Sequence, residues 1–315
     1  RIASKDDYII TKRMLSVEDG LPSRLVFEAV QDRDGFMWFA TANGLCRYDG
    51  YSFKIFNKQI SGLPSNTITG LALDDKNQLF IQATLNYGTS DAINIYQVLD
   101  LNTYQFKQMD QVLSNMPFKV EQIDRMIHDA SGNIYFLTDQ RSKIWQLSRN
   151  SAFKLRKDFK NAAKSSLPQI YPSSDLVAAN ECILIHNYNL NQDYCVYPDT
   201  TISVDNATIK LVSITEKKEF LIYDKILKAF FLMNASGRKE KAANTAFISQ
   251  SEKSGINFIK FDDHSLLYKS DLNNYYLRTA DEWIEIYNAG DRSNIIDFAV
   301  NSYFKDIVNN YWFST

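Results

Sequence analysis

The sequence predicts an all-β fold, specifically a β-propeller of about seven four-stranded blades whose last blade is incomplete. A strand–turn–strand unit, Asp-x-x-Gly-x-x-Trp-Phe-x-Thr, recurs at blade-sized spacings. Aromatic residues make up 13% of the chain, with few Gly (11) and Pro (6), a composition that suits packed strands. No segment has a sustained apolar period of 3.6 residues, so helices do not form the core.

The first blade is the most legible part of the repeat. Residues 20–56 contain four short β-prone runs separated by turn residues. The tetrapeptide Gly-Leu-Pro-Ser at 20–23 returns at 62–65, a distance of 42 residues. Since propeller blades are about 40–45 residues long, each return marks a new blade.

The turn motif predicts which residues bend the chain and which fill the core. Asp accepts backbone N–H groups, Gly or Asn tolerates positive φ, and the aromatic six residues after the Asp packs between sheets. The motif residues are Asp32, Gly35, Trp38 and Thr41 in the first copy, Asp129, Gly132, Tyr135 and Thr138 in the third, and Asp306 and Trp312 in the last. The second copy, with Phe80 and Thr84, has one extra residue.

Degenerate copies fill the rest of the chain. The expected blades begin near residues 25, 67, 121, 176, 208, 256 and 295. We expect residues 1–315 to form most of a single propeller, with Tyr8–Met14 as an outer closing strand. The last copy stops after its second strand, so we expect the natural protein to continue past Thr315.

Residues 20–50 strongly resemble the two-component regulator propeller repeat. The likeness rests on Gly-Leu-Pro-Ser, Gln-Asp-x-Asp-Gly-Phe-Met-Trp-Phe-Ala-Thr and Gly-Leu-x-x-Tyr-Asp-Gly; it is clear in 62–84, recognisable in 129–138 and 306–315, and faint from 150 to 300. Such repeats form the N-terminal sensor region of bacterial hybrid histidine kinases. The resemblance, closest to Bacteroidetes members, implies a periplasmic sensor whose receptor responds to polysaccharide breakdown products.

The sequence offers no constellation typical of a cofactor or metal site. His128, His186 and His264 stand alone, without the spacing of a zinc site. Asp32 to Gly35 resembles the start of a calcium loop, but Asn43 stands where the loop's Glu belongs, which favours a turn. We therefore expect no metal, no cofactor and no enzymatic activity in this segment.

Charge and hydropathy argue against two other classes of partner. The net charge of −2 gives no field for nucleic acid, and no apolar run approaches the length of a membrane helix. We expect no membrane contact by this segment itself. The cysteines Cys46, Cys182 and Cys195 form no CxxC pattern, and a Cys182–Cys195 disulfide is less favoured than buried free thiols.

Candidate ligand-binding residues come from blade geometry. In an antiparallel four-stranded blade, the blade-to-blade loops and the second-to-third-strand loops lie at one edge, opposite the Asp turns. The polar and aromatic residues predicted at that edge are Arg24, Asn43, Asn66, Asn86, Tyr87 and Arg141. Amide, guanidinium and aromatic groups bind sugars through hydrogen bonds and ring stacking.

The sequence is compatible with three functional hypotheses. The first is an extracellular sensor propeller of a membrane-bound receptor, with an oligosaccharide ligand and the rest of its own chain as partner. The second is a propeller enzyme acting on polysaccharide, since an acid/base pair among the many carboxylates is not excluded. The third is a ligand-free scaffold that forms a homodimer.

Overall fold

The fold is that of a computed structural model. It describes residues 2–3, 13–128, 133–139, 143–148, 151–158, 169–170, 174–179, 182–187, 192–196, 209–214, 220–224, 229–233, 239–241, 257–260, 265–269, 275–279, 282–287, 302–308 and 310–314. The chain divides into two compact units, residues 13–160 with 298–315 and residues 1–12 with 161–297.

The unit that contains residues 13–160 has three four-stranded antiparallel sheets and one hairpin, with strands in sequence order. The first sheet has β2 (Val26–Gln31), β3 (Met37–Thr41), β4 (Gly44–Tyr48) and β5 (Phe53–Phe56). The second has β6 (Ile68–Leu73), β7 (Gln78–Leu85), β8 (Ile93–Asp100) and β9 (Gln105–Gln108). The third has β10 (Ile123–His128), β11 (Ile134–Thr138), β12 (Lys143–Leu147) and β13 (Phe153–Asp158). The hairpin is β26 (Ser302–Lys305) and β27 (Tyr311–Ser314).

The other unit has two four-stranded sheets and a five-stranded sheet. The first comprises β14 (Gln169–Ile170), β15 (Ser174–Ala179), β16 (Cys182–Asn187) and β17 (Gln192–Val196). The second comprises β18 (Ile209–Ile214), β19 (Phe220–Asp224), β20 (Ala229–Met233) and β21 (Lys239–Lys241). The five-stranded sheet joins β22 (Asn257–Lys260), β23 (Ser265–Lys269), β24 (Tyr275–Thr279) and β25 (Glu282–Tyr287) to β1 (Ile2–Ala3).

The prediction of an all-β chain of four-stranded antiparallel sheets is confirmed, with two corrections to the strand positions. The sheet expected from residue 176 begins at Gln169, because a two-residue strand precedes β15. The N-terminal strand is Ile2–Ala3, parallel to β25, whereas Met14 at the end of the predicted strand 8–14 lies in no strand. Residues 8–12 lie outside the described residues.

Helical structure in the described residues is limited to single turns in the loops. The α-helices are α1 (Lys58–Ser61) and α2 (Met109–Val112), and short 3-10 turns occupy Val17–Asp19 and Val120–Gln122. The first helix is capped by Asn57, whose side chain accepts hydrogen bonds from Gln59 and Ile60. Among the described residues, no helix has the length and apolar character needed to cross a bilayer.

Apolar cores fill the spaces between successive sheets. One core joins the first and second sheets around Trp38, which is fully buried, and another joins the second and third around Phe80. A third core lies between the first sheet and the terminal hairpin, where the ring of Trp312 lies 5.9 Å from that of Phe39. Because both faces of β3 are covered, all five of its residues are buried.

The motif aspartates hold the turns as predicted, and they also bind the motif tryptophans. Asp32 accepts hydrogen bonds from the backbone N–H groups of Asp34 and Phe36, and Gly35 has φ +87°. The indole N–H of Trp38 donates to Asp32 at 2.7 Å. Asp306 repeats this arrangement with Trp312 at 3.0 Å. The sequence predicts only a packing role for these tryptophans.

The other predicted motif residues are placed as follows. Tyr135 and Thr138 are fully buried in β11. Thr41 closes the β3–β4 turn by donating to the carbonyl oxygen of Gly44 at 2.6 Å. Asp129 and Gly132 lie outside the described residues.

The first strands of the three sheets share a β-bulge at one equivalent position. The pairing register shifts across Phe27 in β2, Thr69 in β6 and Asp124 in β10. A bulge adds one unpaired residue, bends its strand and changes the direction of the side chains around it. The residues after the bulges in the first and third sheets, Glu28 and Arg125, are charged.

Candidate functional site

The loops predicted to share one edge of the sheets do so in the first three sheets. The residue before each first strand bonds to the end of the second strand through the backbone: Ala42 N–H to Leu25 at 3.1 Å, Thr84 N–H to Thr67 at 2.8 Å and Asp139 N–H to Gln122 at 3.3 Å. The Asp turns are therefore at the other edge of each sheet. We call the edge that begins the first strands the loop edge.

Two of the predicted binding residues serve the backbone of the loop edge. The Asn43 side chain donates to the carbonyl oxygen of Pro22 at 3.2 Å, and Asn66 Oδ1 accepts the N–H of Lys58 at 2.8 Å. The carbonyl of Asn66 also accepts the N–H of Gly44 at 2.6 Å. These bonds tie the β3–β4 turn to the loop before β2 and to the connection between the first two sheets, so both side chains have structural roles.

The remaining predicted residues differ in their surroundings. Arg24 is exposed on the loop before β2. Asn86 begins the β7–β8 loop with φ +51° and accepts two hydrogen bonds from Thr89 through its carbonyl. Arg141 lies outside the described residues.

Tyr87 is the predicted residue that the structure brings to another aromatic side chain. Its ring lies edge-on to Phe27, with centroids 5.0 Å apart and planes at 69°. Tyr87 keeps 53% of its surface exposed at the tip of the β7–β8 loop. The loop of the second sheet therefore reaches the bulge of the first sheet and forms an aromatic pair beside it.

Glu28 follows Phe27 and links the first strands of two sheets. Its carboxylate accepts a hydrogen bond from the backbone N–H of Leu71 at 2.8 Å. This bond satisfies a donor on the edge of β6 that faces away from β7. Burial raises the pKa of Glu28 to about 7, although the Leu71 N–H and the charge of Arg125 act to lower it. Near neutral pH this carboxyl therefore exists in both protonation states.

Gly70, the equivalent residue in the second sheet, lets Gln82 and Glu28 approach its backbone closely. A Cβ atom there would lie 3.2 Å from Cβ of Gln82, 3.3 Å from its Oε1 and 3.6 Å from Oε2 of Glu28. Arg125, the equivalent residue in the third sheet, is exposed and close enough to influence Glu28 electrostatically. We call Phe27, Glu28, Gly70, Tyr87 and Arg125 the bulge site.

Polar side chains of the second sheet continue the bulge site along β6 and β7. The hydroxyls of Thr69 and Thr84 are 2.7 Å apart, and Thr84 donates to Asn94 at 2.9 Å. This chain of hydrogen bonds fixes the base of the β7–β8 loop. It gives the aromatic tip a rigid support.

The potential metal ligands, the thiols and the cavity in the described residues do not form a second candidate site. Where side chains are described, no three His, Cys, Asp or Glu residues cluster as metal ligands. Cys46 is a buried free thiol whose pKa burial raises to about 12. In the other compact unit, Cys195 lies opposite Leu184 in the register, not opposite Cys182. A cavity at the Asp-turn edge, lined by Asp74 and Lys76, has a volume of about 10 Å³, enough for one water.

Sequence reasoning found Tyr87 but missed Phe27, Glu28 and Arg125. The available signal was a charged residue at the same position of two first strands, Glu28 in β2 and Arg125 in β10. The bulges obscure this signal, because one extra residue moves the side chains that follow to the opposite face of the sheet. A strict alternation of side chains therefore assigns Glu28 and Arg125 to the wrong face.

Solved structures similar to this chain include extracellular domains of bacterial receptors. One is the extracellular domain of the hybrid two-component system BT3049 from B. thetaiotaomicron, with a TM-score of 0.60 and 17% identity over 96% of this chain. A second, from BT4673 of the same organism, has a TM-score of 0.54 and 16% identity over 92%. The chain has the fold of these domains. It spans 40% and 37% of their lengths.

Lyases share the same fold. Streptogramin B lyase matches with a TM-score of 0.54 and 14% identity over 93% of this chain and 91% of its own. Virginiamycin B lyase from Staphylococcus aureus, solved with quinupristin in a form inactivated by a histidine-to-alanine substitution, matches with a TM-score of 0.53 and 11% identity over 92% of both chains. No family model and no curated protein sequence matches the chain.

Proposed function

We propose that this chain is the extracellular, periplasmic sensor propeller of a membrane-bound hybrid two-component receptor. The observation that carries the proposal is the similarity in fold to two receptor extracellular domains along more than nine-tenths of the chain. The repeat motif supports it, since the Asp turns and the buried aromatic positions follow the pattern of the regulator propeller repeat.

The proposed architecture is one propeller of about seven blades over residues 1–315. It is supported by the way Trp312 packs on Phe39 of the first sheet, as Phe80 packs on Phe136 of the third. The terminal hairpin thus meets the first sheet as the second sheet meets the third. The rest of the receptor chain and a second copy are the proposed protein partners.

The proposed signal is a carbohydrate, with an oligosaccharide as the ligand. The aromatic pair and the hydrogen-bonding side chains at the loop edge support this proposal, because sugar sites combine ring faces with a few polar groups.

The receptor hypothesis is tested on the gene and on the intact receptor. The gene is expected to encode a membrane helix and a histidine kinase downstream of Thr315; a stop codon within a few dozen residues contradicts the proposal. In membrane vesicles, saccharide added to the extracellular side is expected to change receptor autophosphorylation. Deleting this chain from the receptor should abolish that change.

The similarity to two lyases supports a second candidate, a propeller enzyme. Incubating the chain with quinupristin or with polysaccharides, followed by mass spectrometry for opened or shortened products, tests it. A product that forms with the wild-type chain and is absent with the heat-denatured chain would favour the enzyme over the sensor.

A further inference from the structure

Two cations meet at one tyrosine ring where the first sheet borders the second. Arg47 on β4 and Lys54 on β5 are direct cross-strand partners, so their side chains share one face of the first sheet. Tyr104, in the turn between β8 and β9 of the second sheet, reaches both of them. The centre of its ring lies 5.0 Å from Lys54 Nζ and 5.5 Å from the guanidinium carbon of Arg47. We call Arg47, Lys54 and Tyr104 the cation cluster.

The apolar core between the two sheets holds the cluster in place. The Tyr104 ring is parallel to that of Phe56, with centroids 6.4 Å apart and planes at 3°, and lies 6.5 Å from that of Trp38. Its backbone has φ +57°, which a bulky residue seldom adopts. The guanidinium carbon of Arg47 lies 4.2 Å from the centre of the Phe36 ring. Arg47 and Tyr104 are therefore fixed before any ligand arrives.

The two cations lack an anionic partner within the described part of the chain. Neither Arg47 nor Lys54 forms an ion pair there. The aspartates of the turns that carry the cluster, Asp32, Asp49 and Asp100, each accept backbone N–H groups of their own turn. Like charges directly opposite each other on neighbouring strands destabilise a sheet. An anion from outside the chain would relieve this repulsion.

The polar groups of the cluster are hydrogen-bond donors without acceptors. One N–H of Arg47 donates to the Tyr104 hydroxyl, whose own hydrogen has no acceptor among the described residues. Lys54 is exposed and Tyr104 is 37% exposed, so a ligand can reach them from solvent. Ammonium, guanidinium and hydroxyl donors bind oxyanions through charge-assisted hydrogen bonds. Two positive charges favour an oxyanion that carries two negative charges.

We propose that the cation cluster binds a doubly charged oxyanion of the phosphate class, held by Arg47, Lys54 and the hydroxyl of Tyr104. The bound ion neutralises the repulsion between β4 and β5 and links the outer part of the first sheet to the second. This inference does not rest on the proposed saccharide sensing, because the cluster involves none of the residues of the bulge site.

The test is a calorimetric titration of the purified chain with inorganic phosphate, phenyl phosphate and acetate at constant ionic strength. Both phosphates are expected to bind at one site, and acetate, with one charge, about tenfold more weakly. Lys54→Gln and Tyr104→Phe should each raise the Kd for phosphate about fivefold, because each removes one donor to the ion.

Lys107→Gln is the matched control and should leave the Kd unchanged. Lys107 is also an exposed lysine on the outer strand of its sheet. It follows Phe106, whose ring packs on Phe56 of the first sheet, so the side chain of Lys107 lies on the opposite face of β9. Far-ultraviolet circular dichroism of the three variants should match that of the wild type, since each altered group is exposed.

Four results would overturn the inference. These are no saturable binding of either phosphate, acetate that binds as tightly as phosphate, a Kd that Lys54→Gln or Tyr104→Phe leaves unchanged, and an equal loss of affinity in Lys107→Gln. Tighter binding of phenyl phosphate identifies an esterified phosphate as the occupant, and tighter binding of inorganic phosphate identifies the free ion; both support the site. Phosphate should also stabilise the wild type against urea more than it stabilises Lys54→Gln. Failure of the site leaves the receptor proposal intact, because that proposal is measured by autophosphorylation with saccharide.

Discussion

The first and second sheets have the same arrangement of four antiparallel strands, but they differ at three equivalent positions. In the first sheet, Asp32 binds the indole of Trp38; in the second, Phe80 has no N–H, and Asp74 accepts only the backbone N–H groups of Lys76 and Gln78. A two-residue turn joins β3 to β4, whereas residues 86–92 join β7 to β8. Glu28 of the first sheet corresponds to Gly70 of the second.

This comparison separates the interactions that the repeated turn requires from those that occur in the first sheet and not in the second. The backbone bonds to the motif Asp are present in both sheets and in the terminal hairpin, so they are the shared requirement of the turn. The indole bond, the tight turn and the charged residue after the bulge are additions. Burial raises the pKa of Asp74, whereas for Asp306 burial is outweighed by hydrogen bonds from Trp312, Asn310 and Val308, and its pKa is lowered.

The largest contrast is expected at the glycines of the β3–β4 turn and the β7–β8 loop. Gly44 has φ +117°, and a Cβ there would lie 2.7 Å from the carbonyl oxygen of Phe56. Gly44→Ala should lower the free energy of unfolding by about 4 kcal/mol, from backbone strain and the clash together. Gly88→Ala, with φ +85° and no atom within 4 Å, should cost about 1 kcal/mol. Urea denaturation measures both, and equal losses would contradict the contrast.

The motif aspartates should show the next largest difference. Asp32→Ala removes two backbone bonds and leaves the fully buried indole of Trp38 without its acceptor, so a loss of about 3 kcal/mol is expected. Asp74→Ala removes backbone bonds alone and should cost about 1 kcal/mol. The denaturation midpoints of the two variants give the comparison. A larger loss at Asp74 would show that the indole bond does not stabilise the first sheet.

Trp38→Phe converts the first sheet to the pattern of the second. It leaves one oxygen of the buried Asp32 unpaired and should cost about 2 kcal/mol. Trp312→Phe is the matched control, because the Asp306 oxygen that accepts from Trp312 also accepts from the side-chain N–H of Asn310 at 2.8 Å and therefore stays paired. Its expected cost is about 1 kcal/mol, and a cost equal to that of Trp38→Phe would show that an unpaired carboxylate oxygen is not the deciding factor.

The smallest expected effect is the pH dependence of stability that arises from Glu28, the residue after the bulge in β2. The pKa of Glu28 is raised to about 7 in the folded chain from its ordinary 4.5, chiefly by burial, with Arg125 and the Leu71 N–H opposing. Its contribution to stability is therefore complete below pH 4.5 and is lost as the pH rises through 7. Glu28→Gln cannot ionise, so its free energy of unfolding should rise relative to that of the wild type by about 1 kcal/mol between pH 6 and pH 7. A difference that does not vary with pH would contradict the raised pKa.

The sequence predicted the repeat because its turn chemistry is local. Asp32 and Gly35 lie within one turn, and the first strands of the first three sheets begin at Val26, Ile68 and Ile123, within two residues of the expected 25, 67 and 121. The expected start at 176 was wrong, because β14 has two residues and too little pattern to recognise.

The candidate site was less predictable because it depends on contacts between sheets. The loop edge followed from strand order, and Tyr87 followed from the loop edge. The hydrogen bond from Leu71 to Glu28 spans 43 residues, and no local pattern indicates it. Asn43 and Asn66 matched the expected chemistry of a sugar site, but the same amides satisfy backbone groups of their own loops.

The outer strands of the sheets have a consequence for how molecules of this protein meet one another. A strand at the edge of a sheet can pair with another chain, and lysine on such a strand opposes that pairing through charge and solvation. Four of the outer strands carry one: Lys54 on β5, Lys107 on β9, Lys154 on β13 and Lys239 on β21. β25 has no lysine and is covered instead by β1. Polymerisation edge to edge at high concentration is thereby opposed at these five strands, whereas β17 has neither a lysine nor, among the described strands, a covering strand.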